Sequence, residues 1–417
     1  MRNKYSVLTI VMLNLLFLAY AQEDDERHFS LELYGNMIYQ HFDYGANQRA
    51  TTTGSKDDNR AILDIPKFAL EPEFSFTKDF FLEAEIEFEH LGTGSALELE
   101  YEEFGEYEFE SEKGGEVQLE EIHLNKRFTN ELNVRVGRFP IPITLYNKKH
   151  KPMNYFSNTP PESEINILPS TWNEIGVEVF GSAFNFNYNL ALVNGLDASG
   201  FSSERWIAEG HQTKFEFVKA TNLATILRLD YAGINNLLFG GSIYYGNSTG
   251  NRPKPEDMEG IDAHVTITSL HAQYISDPVI IRSDYIYGNL ENSDLVSQRN
   301  ARLSVNIQTP RSPVAKNAIA YYIEGGYNIA SIISIPTEFK LYPFFRYEYY
   351  NTMKEVEKGI FANPRFERSL YTFGLNFIWN DEVVFKADYS SRTVGKGSFN
   401  TENTISVGIG FLTSVIN

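Results

Sequence analysis

The chain reads as all-β: a closed antiparallel transmembrane β-barrel of about 16 strands with short periplasmic turns and long extracellular loops. Three observations predict this fold class. The N-terminus carries an export signal, period-two alternation recurs in segment after segment, and the connections alternate between short and long.

Arg2 and Lys4 precede an apolar run from Val7 to Leu18, and Ala19-Tyr20-Ala21 then offers a small-x-small cleavage site before Gln22-Glu23-Asp24-Asp25. That layout predicts a secretory signal peptide over 1–21 and an N-terminal periplasmic segment over 22–28. A membrane anchor is the alternative, but the apolar core is only about a dozen residues, too short for a spanning helix. No run of 18 or more apolar residues follows the signal, so transmembrane helices are not expected. The chain has no cysteine, which excludes disulfides and thiolate metal sites.

Composition agrees. With 31 Phe and 25 Tyr against 3 Trp, 29 Gly and 22% charged residues, the chain suits strands with one apolar and one polar face. A secreted β-sandwich shares that composition. Net charge is -19, and about −21 without the signal. Nucleic acid is therefore not an expected partner, because such binding rests on neutralising phosphates with Lys and Arg.

Alternation is plain in Leu31 to Gln40, in Phe80 to Glu89, in Leu227 to Tyr231 and in Phe385 to Ser390, with charges at mid-strand on the second face. Strands are predicted at 29–43, 60–76, 79–91, 115–128, 131–140, 172–181, 184–194, 222–232, 236–246, 260–275, 278–290, 317–330, 337–350, 367–379, 382–392 and 402–412. Short turns such as Thr77–Lys78 and Asn380–Asp381 interleave with long loops at 44–59, 92–114, 141–171, 195–221, 247–259, 291–316, 351–366 and 393–401. The segment 211–219, where Phe215 and Phe217 alternate, is assigned to a loop, since a seventeenth strand would break this parity. Closure is required, because an open edge in lipid leaves backbone groups unsatisfied. The barrel therefore spans 29–412, with 413–417 as a C-terminal tail. Aromatic pairs at strand ends (Phe42 and Tyr44, Tyr244 and Tyr245, Tyr285 and Tyr287, Tyr349 and Tyr350) fit interfacial girdles.

If the apolar parity meets lipid, the pore-lining candidates are Glu83, Glu85, Glu87 and Glu89, with Glu71 and Glu73, and then Arg135, Arg228, Arg282, Lys340, Arg346, Lys386 and Arg392. Asp230, Asp284, Glu348 and Asp388 are interleaved with the later basic residues. So many charges predict a water-filled lumen, and an acidic wall facing a basic one would select polar solutes. Lys148, Lys149, His150 and Lys151 stand together in the third long loop. That loop either folds into the pore and favours anions or stays outside against anionic lipopolysaccharide; electrostatics alone supports both. From Glu98 to Glu116 there are nine Glu and one Lys. Without calcium-loop spacing, this run reads as a solvated acidic hairpin. No hydrolase, metalloprotease or phosphate-binding motif occurs and the His are scattered, so neither enzyme activity, a metal nor a cofactor is expected.

The segment Gly115 to Ser203 resembles the phosphate-selective porin O and P family. The matching residues are Glu121-Ile122-His123-Leu124, Leu132 to Phe139, Pro140-Ile141-Pro142, Asn147 to Pro152, Leu168 to Gly176, and Asn194 to Phe201. The resemblance implies a sixteen-stranded barrel, commonly trimeric, with the third loop folded inward and passive uptake of anions such as phosphate. Two features depart from the pattern: the basic lumen positions alternate with acids, and residues follow Phe411, the expected terminal aromatic. The reading is thus an outer-membrane channel for small hydrophilic solutes, with membrane lipids, lipopolysaccharide and two further copies as partners. A structural or adhesive barrel plugged by its loops and an outer-membrane lipid hydrolase are the alternatives.

Overall fold

Segments with one apolar and one polar face bury their backbone polar groups only by pairing on both sides, and sixteen of them can do so by closing. The structure is a computed structural model that describes residues 27–46, 57–90, 98–102, 106–110, 116–147, 150–212, 218–252, 254–303, 311–330 and 332–416. The expected signal peptide, Lys148, Lys149, Phe215 and Phe217 lie outside the described residues. The strands are β1 (Phe29–Ala46), β2 (Asp57–Thr77), β3 (Phe80–Glu89), β4 (Glu98–Glu102), β5 (Glu106–Glu110), β6 (Glu116–Arg127), β7 (Asn133–Pro140), β8 (Asn173–Ala183), β9 (Phe186–Asn194), β10 (Leu223–Ile234), β11 (Leu237–Asn247), β12 (His264–Ser276), β13 (Val279–Leu290), β14 (Asn317–Tyr327), β15 (Phe339–Glu355), β16 (Glu367–Trp379), β17 (Val383–Val394) and β18 (Thr401–Ile416).

All but β4 and β5 form one closed antiparallel barrel in which β1 pairs with both β2 and β18. Each of the sixteen expected strands is present. The acidic run pairs as the β4–β5 hairpin, Tyr101 opposite Tyr107. The last strand corrects the expected tail after Leu412: it continues to Ile416, because Thr413 to Ile416 pair with Leu33 to Ser30 and close the seam. In the short turns Phe184 and Asn185, and Asn380 and Asp381, all have positive φ, between 52° and 66°. That is the mirror-image turn whose twist matches the flanking strands.

Alternation then separates the two faces. Leu190, Leu192, Leu227, Leu229, Ile405 and Val407 are exposed on the outside, while Ala191, Ile226, Arg228 and Ser406 are buried on the inside. The same rule corrects the girdle assignment, since neighbours in a strand cannot share a face. Tyr245, Tyr285 and Tyr287 are exposed, but Tyr244 and Tyr350 are buried inward. Tyr44 also points inward, under Arg392.

The long loops pack on one another. Leu196, Phe201, Trp206, Met258, Val296, Val314 and Phe366 form one buried apolar cluster with Ile141, Ile167 and Trp172. The Asn194 to Phe201 stretch is its knot. The Gly195 carbonyl accepts from Gln212 and Asn251, and the Ala198 carbonyl accepts from Asn300.

Candidate functional site

Period two places the charged mid-strand residues in the lumen, where each needs a partner. On β2 and β3, Glu71, Glu73, Glu83, Glu85, Glu87 and Glu89 share the inner face, and Lys67 stands 2.6 Å from Glu87. The basic candidates are paired too: Arg135 with Glu178 at 3.2 Å, Arg228 with Asp230 at 2.9 Å, Arg282 with Glu324 at 2.9 Å, and Arg346 with Glu348 at 2.8 Å. Arg392 pairs with Glu402 at 2.5 Å. Lys340 sits at the turn-side rim, 35% exposed, against Asp381.

The third loop runs through this charged interior. Asn147 clips its two ends together, its Nδ2 donating to the Ile141 and Trp172 carbonyls (2.8 and 3.0 Å) and its Oδ1 accepting the Trp172 N–H. Arg228 donates to the Thr144 carbonyl, and Asp284 accepts the Leu145 N–H. The loop then crosses to the acidic wall, where Lys151 pairs with Glu32 and, at 2.6 Å, with Glu71. Returning along the other side, it offers the carbonyls of Pro152, Tyr155 and Ser157 to the Lys386 ammonium at 2.6, 2.7 and 3.0 Å. Asp388 accepts both the N–H and the side-chain amide of Asn158. Glu162, on a helical turn (Glu162–Ile165), pairs with Arg392 and accepts from Tyr350. Burial acts to raise the Glu162 carboxyl, and Arg392, Arg368 and Tyr350 outweigh it and hold the group below the usual carboxylate range. The loop thus turns a cation to the acidic wall and a carboxylate to the basic one.

Two wall glycines make room for it. A Cβ at Gly326 would lie 2.4 Å from the Phe156 ring, and one at Gly408 would lie 2.3 Å from Asn158 Oδ1. A side chain at either position would force the Phe156 ring or the Asn158 amide aside.

At mid-height the inward loop narrows the lumen. There Arg228, Arg346, Glu348, Lys386 and Asp388 are buried against each other and against loop groups, and pairing offsets their desolvation, whereas Glu73, Glu83, Glu89 and Lys340 stay partly exposed. Among cavities lined by described residues, one of about 330 Å³ on the loop side is bordered by Asp64, Lys67, Glu87, Glu89, His150 and Tyr155. Another of about 330 Å³ on the turn side is bordered by Asn133, Asn189, Arg228, Asp230 and Gln273. Between them is a gap of about 10 Å³, sharing Tyr146 and Tyr155 with the first and Leu145 and Gln273 with the second. The two tyrosine rings meet edge-on with centroids 5.8 Å apart. Replacing both (Tyr146→Ala with Tyr155→Ala) is expected to join the cavities and admit larger neutral solutes, checked by swelling of protein-loaded liposomes in sugars of graded size. An unchanged size limit would place the constriction elsewhere.

The structure brings together Glu85, Glu87, His150 and Lys151, and separately Arg346, Lys386 and Arg392 with the returning loop. Sequence reasoning missed Lys67, Tyr146, Asn158, Glu162 and the wall glycines. Parity would have found Lys67, which is in phase with Glu71 and Glu73. The loop residues follow no period and gave no such signal.

No model of a known protein family matches the chain. An uncharacterized protein of Aquifex aeolicus (strain VF5) is 26% identical over 335 residues, covering 80% of this chain and 71% of that one. Among solved structures, the outer membrane channel DcaP of Acinetobacter baumannii superposes with a TM-score of 0.54 at 12% identity, covering 94% of this chain and 99% of that one. The anion-selective porin from Comamonas acidovorans gives 0.53 at 10% identity, covering 93% and 100%. OprB of Pseudomonas putida also gives 0.53, at 12% identity over 93% and 94%. The chain has the fold of an outer-membrane porin. At these identities the likeness is one of fold, and what passes the barrel is argued below from its own lumen.

Proposed function

We propose that the chain is an outer-membrane channel for passive diffusion of small hydrophilic solutes, its bore set by the inward loop 141–171. The observation that carries this reading is the pair of charge-lined cavities, separated by a narrow gap at Leu145, Tyr146, Tyr155 and Gln273, inside a barrel with an apolar outer face. Its partners would be membrane lipid, lipopolysaccharide and, as the resemblance implies, two further copies of the chain. The mass of the detergent-solubilised particle tests the trimer.

The phosphate preference of the resembled family calls for unpaired lumen cations. Here Arg135, Arg228, Arg282, Arg346, Arg392 and Lys151 each stand against a carboxylate. The loop-side cavity is bordered by Asp64, Glu87, Glu89 and Glu120 against Lys67 among the described residues. We therefore place the preference on the cation side, because rings of carboxylates concentrate cations.

Planar-bilayer recording tests both statements. Stable ohmic steps are expected, and the reversal potential in a KCl gradient is expected to shift toward the potassium potential. A shift toward chloride would overturn the charge argument and restore the anion reading built on the loop lysines. No conductance from folded protein would overturn the channel itself. It would favour the plugged structural barrel, a reading supported by the narrow gap at Tyr146 and Tyr155.

A further inference from the structure

The acidic wall and the tip of the loop meet at one point. Glu71 of β2, Glu85 of β3 and His150 of the loop each bring one ligand atom within 4.8 Å of the others. Two of the three have unused capacity although they are out of water. Glu85 is 1% exposed and its Oε2 has no partner, and His150 is 6% exposed and its Nδ1 has none. Tyr34 bridges the near side of both, donating to Glu85 Oε1 and lying 3.0 Å from His150 Nε2, atoms that are themselves 3.6 Å apart. The Lys151 ammonium stands beside the cluster, 2.6 Å from Glu71 Oε2.

A buried carboxylate oxygen with no donor is costly. A cation held by the two carboxylates and the imidazole relieves it at Glu85 Oε2. The donor set decides which cation. Two carboxylates and an imidazole match the mixed nitrogen and oxygen coordination of Zn²⁺, whereas Ca²⁺ and Mg²⁺ take oxygen ligands alone. For bonds of about 2.0–2.2 Å the ligand atoms must draw in by roughly 1.5 Å, within the reach of glutamate rotamers.

We propose that Glu71, Glu85 and His150 form a lumen site for a divalent transition-metal cation, best matched by Zn²⁺, which displaces the Lys151 ammonium as it binds and pins the loop to the acidic wall. Displacement follows from charge: an ammonium and a metal ion cannot share Glu71 without strong repulsion. The proposal goes beyond the channel reading and does not depend on it, since binding is measured directly.

The experiment is calorimetric titration of the folded full chain in detergent with Zn²⁺ alone, repeated with Ca²⁺. A single strong Zn²⁺ site is expected, with no comparable Ca²⁺ binding. Glu85→Gln and His150→Gln are each expected to weaken it by about tenfold or more, as loss of a ligand does. Lys151→Met, which keeps every ligand and removes only the competing charge, is expected to tighten it by about tenfold. That variant keeps the proposal testable if either ligand variant fails to fold. Zn²⁺ binding that is absent, unchanged in His150→Gln, or not strengthened in Lys151→Met would overturn the site.

Discussion

Lys386→Met is expected to raise the single-channel current and its noise while the barrel stays folded. The ammonium is 5% exposed and donates to the carbonyls of Pro152, Tyr155 and Ser157, so one side chain holds the returning half of the loop against β17. Methionine keeps most of the stem and removes the donors. Hydrogen bonds to a charged group are worth about 1.5–3 kcal/mol each, and three carbonyls would be left in a site that water cannot freely fill. The strand itself is unaffected, because Lys386 pairs through its backbone with Asn376 and Gly408. The strain therefore falls on the loop, which still has Asn158 on Asp388 and Glu162 on Arg392 to restrain it. Partial release predicts a larger, flickering conductance in planar bilayers. A variant that conducts, or stays closed, as the wild type does would exclude the anchoring role.

Arg346→Met is expected to damage folding more than gating. The guanidinium is 2% exposed, lies 2.8 Å from Glu348 and 3.9 Å from Glu324, and reaches the Thr159 and Pro160 carbonyls. Removing it leaves the buried Glu348 carboxylate without its cation, while Glu324 keeps Arg282. Breaking one side of such a pair costs about 3–5 kcal/mol. The readout is the urea midpoint of the folded barrel, followed by the fluorescence of Trp172 and Trp206, both buried in the loop cluster. Glu348→Gln in the same chain should recover part of the loss, since it removes a stranded charge and keeps an acceptor for the Ser163 N–H. If the single variant unfolds at the wild-type midpoint, Arg346 does not hold the loop.

The lumen was readable where a period exists. Arg228 with Asp230, and Lys386 with Asp388, are two residues apart on one strand, so their common inward face follows from the pleat alone. Glu162 is the opposite case. It lies in a loop without alternation and meets Arg392, 230 positions away. Gly326 and Gly408 looked like ordinary strand glycines, and their role appears only once Phe156 and Asn158 are set against them. The narrowing of the lumen was hidden for the same reason: the charges can be counted along the chain, and the loop groups that pair with them cannot.

The sequence by itself determined the strands, their number, the two faces and the need for closure, because a pleat of period two and unsatisfied edges in lipid are local and general constraints. Only the tertiary structure decided what fills the barrel. Which inward charge meets which partner depends on the register of sixteen strands and on the path of loop 141–171 across the lumen, distances that no local pattern encodes.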